Sequence, residues 1–416
     1  MKDFSTIASL AWRNIWRNRR RTLLTLLTTV AGCGMIIFNN ALFNGATRAM
    51  VEDAVALNAG HLQICEKGFH ENRTTDYAFT PSAELLTALE GMKKKGMISG
   101  VTPRIEASAM VSTGEITEGA VVQGVDVSSA KGVISIHEKI LPGGRTLTPA
   151  DTWAALLGDA LAKNLSVSTG SRVNIISQGF DGSIASARLE VVGLVKSGNT
   201  ALDQTLVLVP QSAADETFAM MGHVNSLVVR LSPDADTSAA AAALRNIAGP
   251  ANLEVISWEK LIPEIVQFVV LDNIAGYIFS FILFVVVAFT VLNTVQMSVF
   301  ERTKEFGVLL SIGTAPRRVF SIVMLESVFI ALIGISLGIV LGLGVSAIVE
   351  RHPFDYSQFA AEFAVWGVYT TVYPAKVTAF NVVFTSALTF ALAVLFSAIP
   401  ARRAMNLKPV EAMRHL

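Results

Sequence analysis

Residues 300–319 read FERTKEFGVLLSIGTAPRRV and form a charged segment between two long apolar runs. The first turns of this segment are crowded with charges, and small or apolar side chains recur at helical spacing. These side chains are Phe306, Leu309, Leu310 and Gly313. Pro316 interrupts the pattern before the next apolar run. The pattern predicts a short amphipathic helix on a membrane surface, where it either binds a soluble partner or rests on lipid head groups.

The composition of the 416-residue chain requires membrane spans. Hydrophobic residues make up 52% of it and charged residues only 16%, and its mean hydropathy is +0.51. The 33 basic and 33 acidic residues balance, so no nucleic-acid partner is indicated. Two cysteines cannot form a disulfide framework, so Cys33 and Cys65 are expected to be free thiols.

Four apolar runs are each long enough to cross a hydrocarbon core of about 30 Å. They cover residues 22–45, 272–299, 320–348 and 377–399. Residues 1–21 precede them and are predicted to form an amphipathic surface helix, with Trp12 and Trp16 in the head-group layer. The first run exceeds a typical signal core and no convincing small-x-small cleavage site follows it, so an uncleaved anchor is predicted.

The distribution of basic residues predicts the topology. Three segments are rich in them: residues 1–21 with Arg13, Arg17, Arg19, Arg20 and Arg21, residues 300–319 with Arg302, Lys304, Arg317 and Arg318, and residues 400–416 with Arg402, Arg403, Lys408 and Arg414. The loop at 349–376 has only Arg351 and Lys376. The positive-inside rule therefore predicts that both termini and residues 300–319 are cytoplasmic.

Two segments are expected on the outer side. The loop at 349–376 is rich in aromatic side chains, which are expected to rest on the membrane surface. They are Phe354, Tyr356, Phe359, Phe363, Trp366, Tyr369 and Tyr373. Residues 46–271 interleave strand and helix patterns, which predicts an α+β domain of two lobes. Strands are predicted at 60–65, 120–125, 172–176, 187–195, 204–209, 226–231 and 253–257, and helices at 82–94, 149–164, 212–221 and 237–247.

The third span carries two unusual features. Gly334, Gly338 and Gly342 recur every fourth residue, so one helix face lacks side chains and favours close packing with another helix. Sliding of that contact is the functional alternative. Glu326 lies about 12 Å into the same helix, where a charge is costly. It is expected to pair with a basic group near the inner face, and a proton site is the alternative.

Several motifs resemble one protein family. ERTKEFGVLLSIGTAPRRV is similar to the ERTREIGILRALGAxRRxI segment of FtsX/MacB-type ABC transporter permeases, and PARRAMNLKPVEAMR to their PAxRAxxLxPxEALR ending. LAWRNIWRNRRRTLLT extends the resemblance to the N-terminus. GHLQI, VTPRIEASAMV, LGDALAKNLSVSTGSRVNI and VVGLVKSG resemble the extracytoplasmic domain of MacB and LolC/LolE, which divides into Porter and Sabre parts. The resemblance implies four transmembrane helices with a MacB-like periplasmic core domain at 46–271 and an FtsX-like permease domain at 272–416.

The resemblance also implies a coupling site. In that family the segment after the second span is a coupling helix that docks on an ATPase subunit. Carried onto this sequence, the docking contacts are Glu301, Arg302, Lys304, Glu305, Phe306 and Gly307. Gly313 and Pro316 would set the turn that follows.

The sequence lacks the motifs of an enzyme. Gly91 and Gly96 have phosphate-loop spacing, but Met97 and Ile98 replace the lysine and hydroxyl residue. The histidines lack metal-ligand spacing: His61, His70, His137, His223, His352 and His415. We therefore expect no catalytic residue, metal or cofactor on this chain, with ATP and Mg²⁺ on a separate ATPase as in LolC/LolE rather than fused as in MacB.

The resemblance implies a permease subunit in the bacterial inner membrane. Its partners would be a cytoplasmic ABC ATPase dimer, a second permease copy or a sister permease, membrane lipids and a periplasmic lipoprotein carrier. ATP-driven movement would extract lipoproteins for delivery to the outer membrane. Two alternatives stay open: efflux of amphiphiles or peptides through a tripartite assembly, and FtsX-like activation of a periplasmic hydrolase without transport.

Overall fold

The computed structural model describes residues 2–17, 19–233, 235–248, 252–359 and 370–408. The chain divides into two compact units. The first contains Met1–Ala49, Val269–Asp355 and Val372–Leu416, and the second contains Met50–Phe268 and Tyr356–Thr371. Of the loop aromatics named above, Phe363, Trp366 and Tyr369 lie outside the described residues, as does Arg414 of the tail.

The described helices are α1 (Lys2–Arg17), α2 (Arg19–Ala54), α3 (Phe69–Asn72), α4 (Ala83–Lys94), α5 (Val127–Ala130), α6 (Asp159–Asn164), α7 (Thr200–Thr205), α8 (Gln211–Thr217), α9 (Thr237–Ala248), α10 (Trp258–Leu261), α11 (Pro263–Glu301), α12 (Thr303–Ser311), α13 (Pro316–Arg351) and α14 (Ala379–Met405). The strands are β1 (Leu62–Glu66), β2 (Ile98–Ser112), β3 (Thr117–Val125), β4 (Ala154–Gly158), β5 (Arg172–Gln178), β6 (Ile184–Val195), β7 (Leu206–Pro210), β8 (Ser226–Leu231), β9 (Leu253–Ser257), β10 (Phe354–Asp355) and β11 (Val372–Tyr373). A π-helical turn spans Val55–Ala59, and 3₁₀ turns span Ile136–Glu138 and Ser357–Phe359.

The first unit is built on long apolar helices. Within the described residues, four helical segments are long and apolar enough to cross a membrane: Thr22–Ala59, Pro263–Glu301, Pro316–Arg351 and Ala379–Met405. The helix α2 has 36 residues, and α11 has 39. Each is therefore more than 50 Å long at about 1.5 Å per residue, which exceeds a hydrocarbon core of about 30 Å. Both helices thus extend beyond the lengths predicted for spans one and two.

The helix between α11 and α13 is shorter than the sequence pattern predicts. Its helix α12 covers only nine residues. The helix ends because Gly313 adopts a left-handed conformation with φ +89°, and the next backbone amide, of Thr314, donates to the carbonyl of Leu309 at 3.0 Å. Pro316 then occupies the first turn of α13, where its missing N–H costs nothing.

The second unit contains a nine-stranded mixed sheet in its described residues, in the order β3-β7-β4-β6-β5-β2-β8-β1-β9. An additional pairing of β3 with β2 closes the first six strands into a ring. The 15-residue strand β2 belongs to both parts, because its first half pairs with β8 and its second half with β3 and β5. One strand therefore connects the ring to the open part of the sheet.

Alternating side chains fill separate cores on the two parts of this sheet. The ring encloses a core with inward residues from all six strands, among them Ile105, Val122, Leu157 and Val207, together with Phe218 after α8. On the open part, α4 and α9 cover β1, β8 and β9 through a core that includes Leu89, Leu244 and Leu62. The interleaved strands and helices thus form the predicted α+β domain.

Two local predictions were wrong. Residues 149–164 do not form one helix, because Ala154–Gly158 is a strand and the helix begins at Asp159. Every residue of β4 is buried, and an apolar run covered on both faces carries no periodicity that separates strand from helix. The strand β2 was not predicted, since its alanines, serines and Pro103 have low strand propensity. Pairing on both edges of β2 overrides that weak propensity.

The remaining predicted elements of this unit are present with shifted ends. All seven predicted strands occur, and residues 82–94 and 237–247 correspond to α4 and α9. The helix predicted at 212–221 is shorter, because α8 ends at Thr217. The outer loop contributes to both units, since Tyr356–Thr371 groups with the second unit and the ends of the loop pair as β10 and β11 in the first.

Candidate functional site

The residues predicted for coupling lie where α11, α12 and α13 follow one another. Arg302 occupies the break between α11 and α12, and its guanidinium reaches the side chain of Glu326 on α13. Nη1 of Arg302 donates to Oε1 of Glu326 at 2.7 Å and to Oε2 at 3.0 Å. The two residues are only 8% and 6% exposed. The expected pairing of Glu326 with a basic group is confirmed.

Glu305 extends this ion pair to the N-terminal helix. Nε of Arg302 donates to Oε2 of Glu305 at 3.0 Å, and Nη2 of Arg17, at the end of α1, donates to Oε1. Partial burial opposes ionisation of Glu305, but the hydrogen bonds from Arg17 and Arg302 outweigh it, so the pKa of Glu305 is lowered. We call Arg17, Arg302, Glu305 and Glu326 the junction network. It joins α1, α12 and α13.

Phe306 holds α12 against the long helices. The side chain is 1% exposed and lies in a core with Val319 and Val323 of α13 and with Ala401 and Ala404 of α14. The guanidinium carbon of Arg302 lies 4.9 Å from the centroid of the Phe306 ring, which adds a cation–π contact. Phe306 therefore packs α12 against the adjoining ends of α13 and α14.

The helix α1 also packs on α13. Its Ala11 and Ile15 are buried, and the ring of Trp12 meets Phe329 edge to face, with the centroids 5.7 Å apart. Trp12 and Trp16 nevertheless stay 44% and 46% accessible. The N-terminal segment is therefore an amphipathic helix that is held both by this packing and by the junction network.

The eight residues predicted for coupling divide into two groups. The exposed ones are Glu301, Lys304, Glu305, Gly313 and Pro316, and the buried ones are Arg302, Phe306 and Gly307. Of the buried group, Arg302 bonds to Glu326 of α13, and Phe306 packs against α13 and α14. Of the exposed group, Lys304 and Glu305 lie on α12.

Sequence reasoning missed two apolar residues on the outer face of α12. Val308 is 49% exposed and Ile312 is 73% exposed. They follow Lys304 at intervals of four residues, so the three side chains line one helix face. This four-residue spacing was visible in the sequence, but the prediction placed the apolar residues of the segment on the buried face only. We call Lys304 and Val308 of α12, together with Ile312 directly after its last residue, the outer face of α12.

The exposed ion pair of Arg17 with Glu305 in the junction network is expected to contribute little to stability. The side chains of Arg17 and Glu305 are 54% and 43% accessible, and exposed ion pairs contribute about 0–1 kcal/mol. We therefore expect Arg17→Met to lower the free energy of unfolding by no more than about 1 kcal/mol, as measured by detergent-denaturant titration. A loss above about 2 kcal/mol would show that α1 depends on this pair rather than on its packing.

Two family models match the chain. The model described as MacB-like periplasmic core domain matches residues 22–247, and the model described as FtsX-like permease C-terminal matches residues 277–409. The first match alone covers more than half of the chain. The chain belongs to the FtsX/MacB superfamily of permeases. This permease therefore has the fold that the sequence motifs implied, with four transmembrane helices and a large α+β periplasmic domain between the first two.

Named relatives of this permease fall into two groups. Over 432 aligned residues it is 24% identical to the lipoprotein-releasing system transmembrane protein LolC of Neisseria meningitidis, covering 99% of this chain and 100% of LolC. It is 21% identical to the macrolide export ATP-binding/permease protein MacB of Acinetobacter baylyi, covering 95% of this chain but 57% of MacB. The permease thus spans little more than half the length of that MacB protein.

Solved structures with similarity to the permease include periplasmic domains. The periplasmic region of MacB from Actinobacillus actinomycetemcomitans is 18% identical, with a TM-score of 0.35, covering 52% of this chain and 95% of that one. The extracellular domain of the ABC-type transporter YknZ from Gram-positive bacteria is also 18% identical, with a TM-score of 0.33, covering 48% and 100%.

The three glycines of α13 lie against α2 of the permease. A Cβ atom added at Gly334 would lie 2.7 Å from Cγ2 of Thr29, and one at Gly338 would lie 2.8 Å from Cβ of Cys33. At Gly342 it would lie 2.9 Å from the backbone oxygen of Gly34. Gly34 on α2 thus removes a side chain at the same contact, so small residues of both helices allow close approach.

Proposed function

We propose that this permease couples ATP binding by a separate cytoplasmic ABC ATPase dimer to movement of its periplasmic domain. The observation that supports the proposal is that one side of α12 is buried against other helices while its other side is exposed. Its inner side is fixed by Phe306 and by the buried pair of Arg302 with Glu326, whereas its outer face is exposed. A partner that pushes on the outer face therefore acts on α13 and α14 through packed contacts rather than through a flexible loop.

The proposed location is the bacterial cytoplasmic membrane, with both termini and α12 in the cytoplasm. The basic residues flanking the spans support this orientation, because Lys and Arg accumulate on the cytoplasmic side. ATP and Mg²⁺ would be bound by the ATPase partner. A second permease copy, or a sister permease, would complete the assembly on the ATPase dimer.

The proposed cargo is a lipoprotein, extracted from the membrane and handed to a periplasmic carrier. The similarity to a protein named as part of a lipoprotein-releasing system supports this choice, because it extends over the full length of that relative. Efflux of amphiphiles is the second candidate. It is favoured by the similarity to proteins named for macrolide export, which covers a smaller share of those relatives.

Depletion of the permease in its native host tests the proposed cargo. We expect lipid-modified proteins to accumulate in the cytoplasmic membrane, as measured by membrane fractionation and mass spectrometry. We also expect an ABC ATPase and a lipoprotein carrier to be recovered with the permease after cross-linking. Normal lipoprotein sorting together with sensitivity to amphiphilic drugs would contradict lipoprotein release and support efflux. Recovery of a cell-wall hydrolase would contradict both.

Charge placed on the outer face of α12 is expected to weaken ATPase docking. An interface that buries Ile312 must desolvate any charge placed there, and about 1.4 kcal/mol corresponds to a tenfold change in affinity. We expect Ile312→Asp to reduce the amount of ATPase recovered with the permease at least fivefold. Stimulated ATP hydrolysis in proteoliposomes should fall in parallel.

The matched control is Ile184→Asp. Ile184 is 84% exposed in the periplasmic domain, so the same substitution adds a charge at an equally accessible apolar position. This variant should retain full ATPase recovery. Equal losses in both variants would point to a general defect in folding or expression, and no loss in Ile312→Asp would remove the outer face of α12 from the docking surface.

A further inference from the structure

A cavity inside the periplasmic domain is independent of the coupling site. Its volume is about 180 Å³, and it lies among strands β2 and β3, the turn after α2 and the beginning of α11. Much of its lining is apolar: Leu57, Phe69, Leu202, Ile256, Ile262 and Ile265. A cavity of this size admits several waters or one short hydrocarbon chain.

Arg104 of β2 lines this cavity and is buried. It is only 3% exposed, and its Nη2 donates to the backbone oxygen of Asn58 at 2.6 Å and to Oδ1 of Asn58 at 3.0 Å. Its Nε has no hydrogen-bond partner in the described part of the chain. Burial lowers the pKa of Arg104 to about 10, so the guanidinium stays charged at neutral pH.

Glu106, the acidic residue beside Arg104, accepts hydrogen bonds from other side chains. Strand alternation places Glu106 on the same face as Arg104, but Oε1 of Glu106 accepts from Arg73 at 3.0 Å. Its Oε2 accepts from Nε2 of Gln123 at 3.1 Å. Among described residues, no carboxylate lies within ion-pair distance of Arg104. With Arg73 paired to Glu106, the cavity retains one uncompensated positive charge.

Gln123 has a second buried polar group without a partner among the described residues. This residue is 4% exposed and lines the cavity, and its Oε1 has no partner among the described residues. The cavity therefore combines a buried donor with positive charge, a buried acceptor and apolar walls. Unpaired buried groups of this kind are costly, since each loses its hydration without replacement.

We propose that this cavity binds an anionic amphiphile, with a carboxylate or phosphate head at Arg104 and a short apolar chain along Leu202, Phe69 and Ile265. Oε1 of Gln123 would accept a hydrogen bond from a hydroxyl or amide of the same head group. The volume admits a single short chain. This binding does not require ATPase coupling or the proposed cargo, so it is tested separately.

The test is equilibrium binding of radiolabelled octanoate to the full chain in nanodiscs of zwitterionic lipid, with empty nanodiscs as background. Labelled 1-octanol and inorganic phosphate serve as probes of the chain alone and of the anion alone. We expect saturable octanoate binding at least tenfold tighter than that of either probe. Arg104→Gln should weaken octanoate binding at least tenfold and leave 1-octanol binding unchanged.

Two further variants test the role of the cavity and the effect of removing an arginine elsewhere. Leu202→Trp retains Arg104 but fills the cavity, so it should abolish octanoate binding. Arg188→Gln removes an exposed arginine of the same domain and should have no effect. Absence of saturable octanoate binding, equal binding of 1-octanol or of phosphate, or unchanged affinity in Arg104→Gln would each overturn the proposal.

Discussion

Removal of the Arg302 guanidinium, as in Arg302→Met, is expected to lower the free energy of unfolding of this permease by about 3–5 kcal/mol. The reason is the position of its partner. Glu326 is 6% exposed on α13 and receives two hydrogen bonds from Arg302. Without that guanidinium its carboxylate is left buried without a counter-charge. Breaking a buried pair in this way costs more than the pair itself contributes.

The double variant Arg302→Met with Glu326→Leu separates the cost of leaving Glu326 unpaired from the contribution of the ion pair itself. Replacing both charges with apolar groups of similar size removes the uncompensated charge, so we expect most of the lost stability to return. Unfolding followed by detergent-denaturant titration measures both variants, and the exposed pair variant Arg17→Met is the control. A double variant no more stable than Arg302→Met would contradict the pairing of Arg302 with Glu326.

The same variants also test the proposed coupling. If the junction network transmits force from α12 to α13, the stable double variant should bind the ATPase but show weaker stimulation of ATP hydrolysis than the unmodified permease. If Phe306 alone transmits the displacement, stimulation should be retained, because the substitution leaves its core intact. Weaker stimulation in a double variant that has recovered its stability could not be explained by a folding defect.

Gly338→Leu is expected to lower the free energy of unfolding by about 2–3 kcal/mol. A Cβ at this position would lie 2.8 Å from Cβ of Cys33 and 3.1 Å from the backbone oxygen of Val30. The leucine side chain can change rotamer, but its Cβ cannot avoid the backbone of α2 unless α2 and α13 move apart. The loss of contact then extends over the interface that Gly334 and Gly342 share.

The control for this substitution lies on the same helix. A Cβ at Gly344 would meet nothing within 4 Å, so Gly344→Leu leaves packing unchanged and gains helix propensity. We expect its stability to equal or exceed that of the unmodified permease. Similar destabilisation by both substitutions would mean that leucine is poorly tolerated anywhere along α13, and the contact of Gly338 with α2 would then not be the cause.

The sequence predicted the membrane-spanning part well because its signals are local. An apolar run of about 20 residues crosses a bilayer whatever surrounds it, so the four spans could be identified without knowing their neighbours. The periplasmic domain was harder. The fully buried strand β4 has no alternation, and β2 consists of weak strand formers that are held by pairing on both edges.

The coupling residues illustrate the same limit. Their residue types and order were sufficient to identify the segment by resemblance, but periodicity did not separate Arg302, which is buried, from Lys304, which is exposed. Nor did it identify Val308 and Ile312 as an exposed apolar face. Whether a helical residue is buried depends on the helices packed around it, and a nine-residue helix has too few turns for its own pattern to decide this.

By itself, the sequence determined the number of spans, the position of the large domain between the first two, and the family, because apolar length and short motifs are properties of contiguous residues. Only the tertiary structure decided that Glu326 pairs with Arg302, that β3 closes a ring with β2, and that Arg104 has no carboxylate partner among the described residues. Each of these contacts forms between side chains or strands that folding brings together, and their energy depends on burial and geometry that no single segment contains.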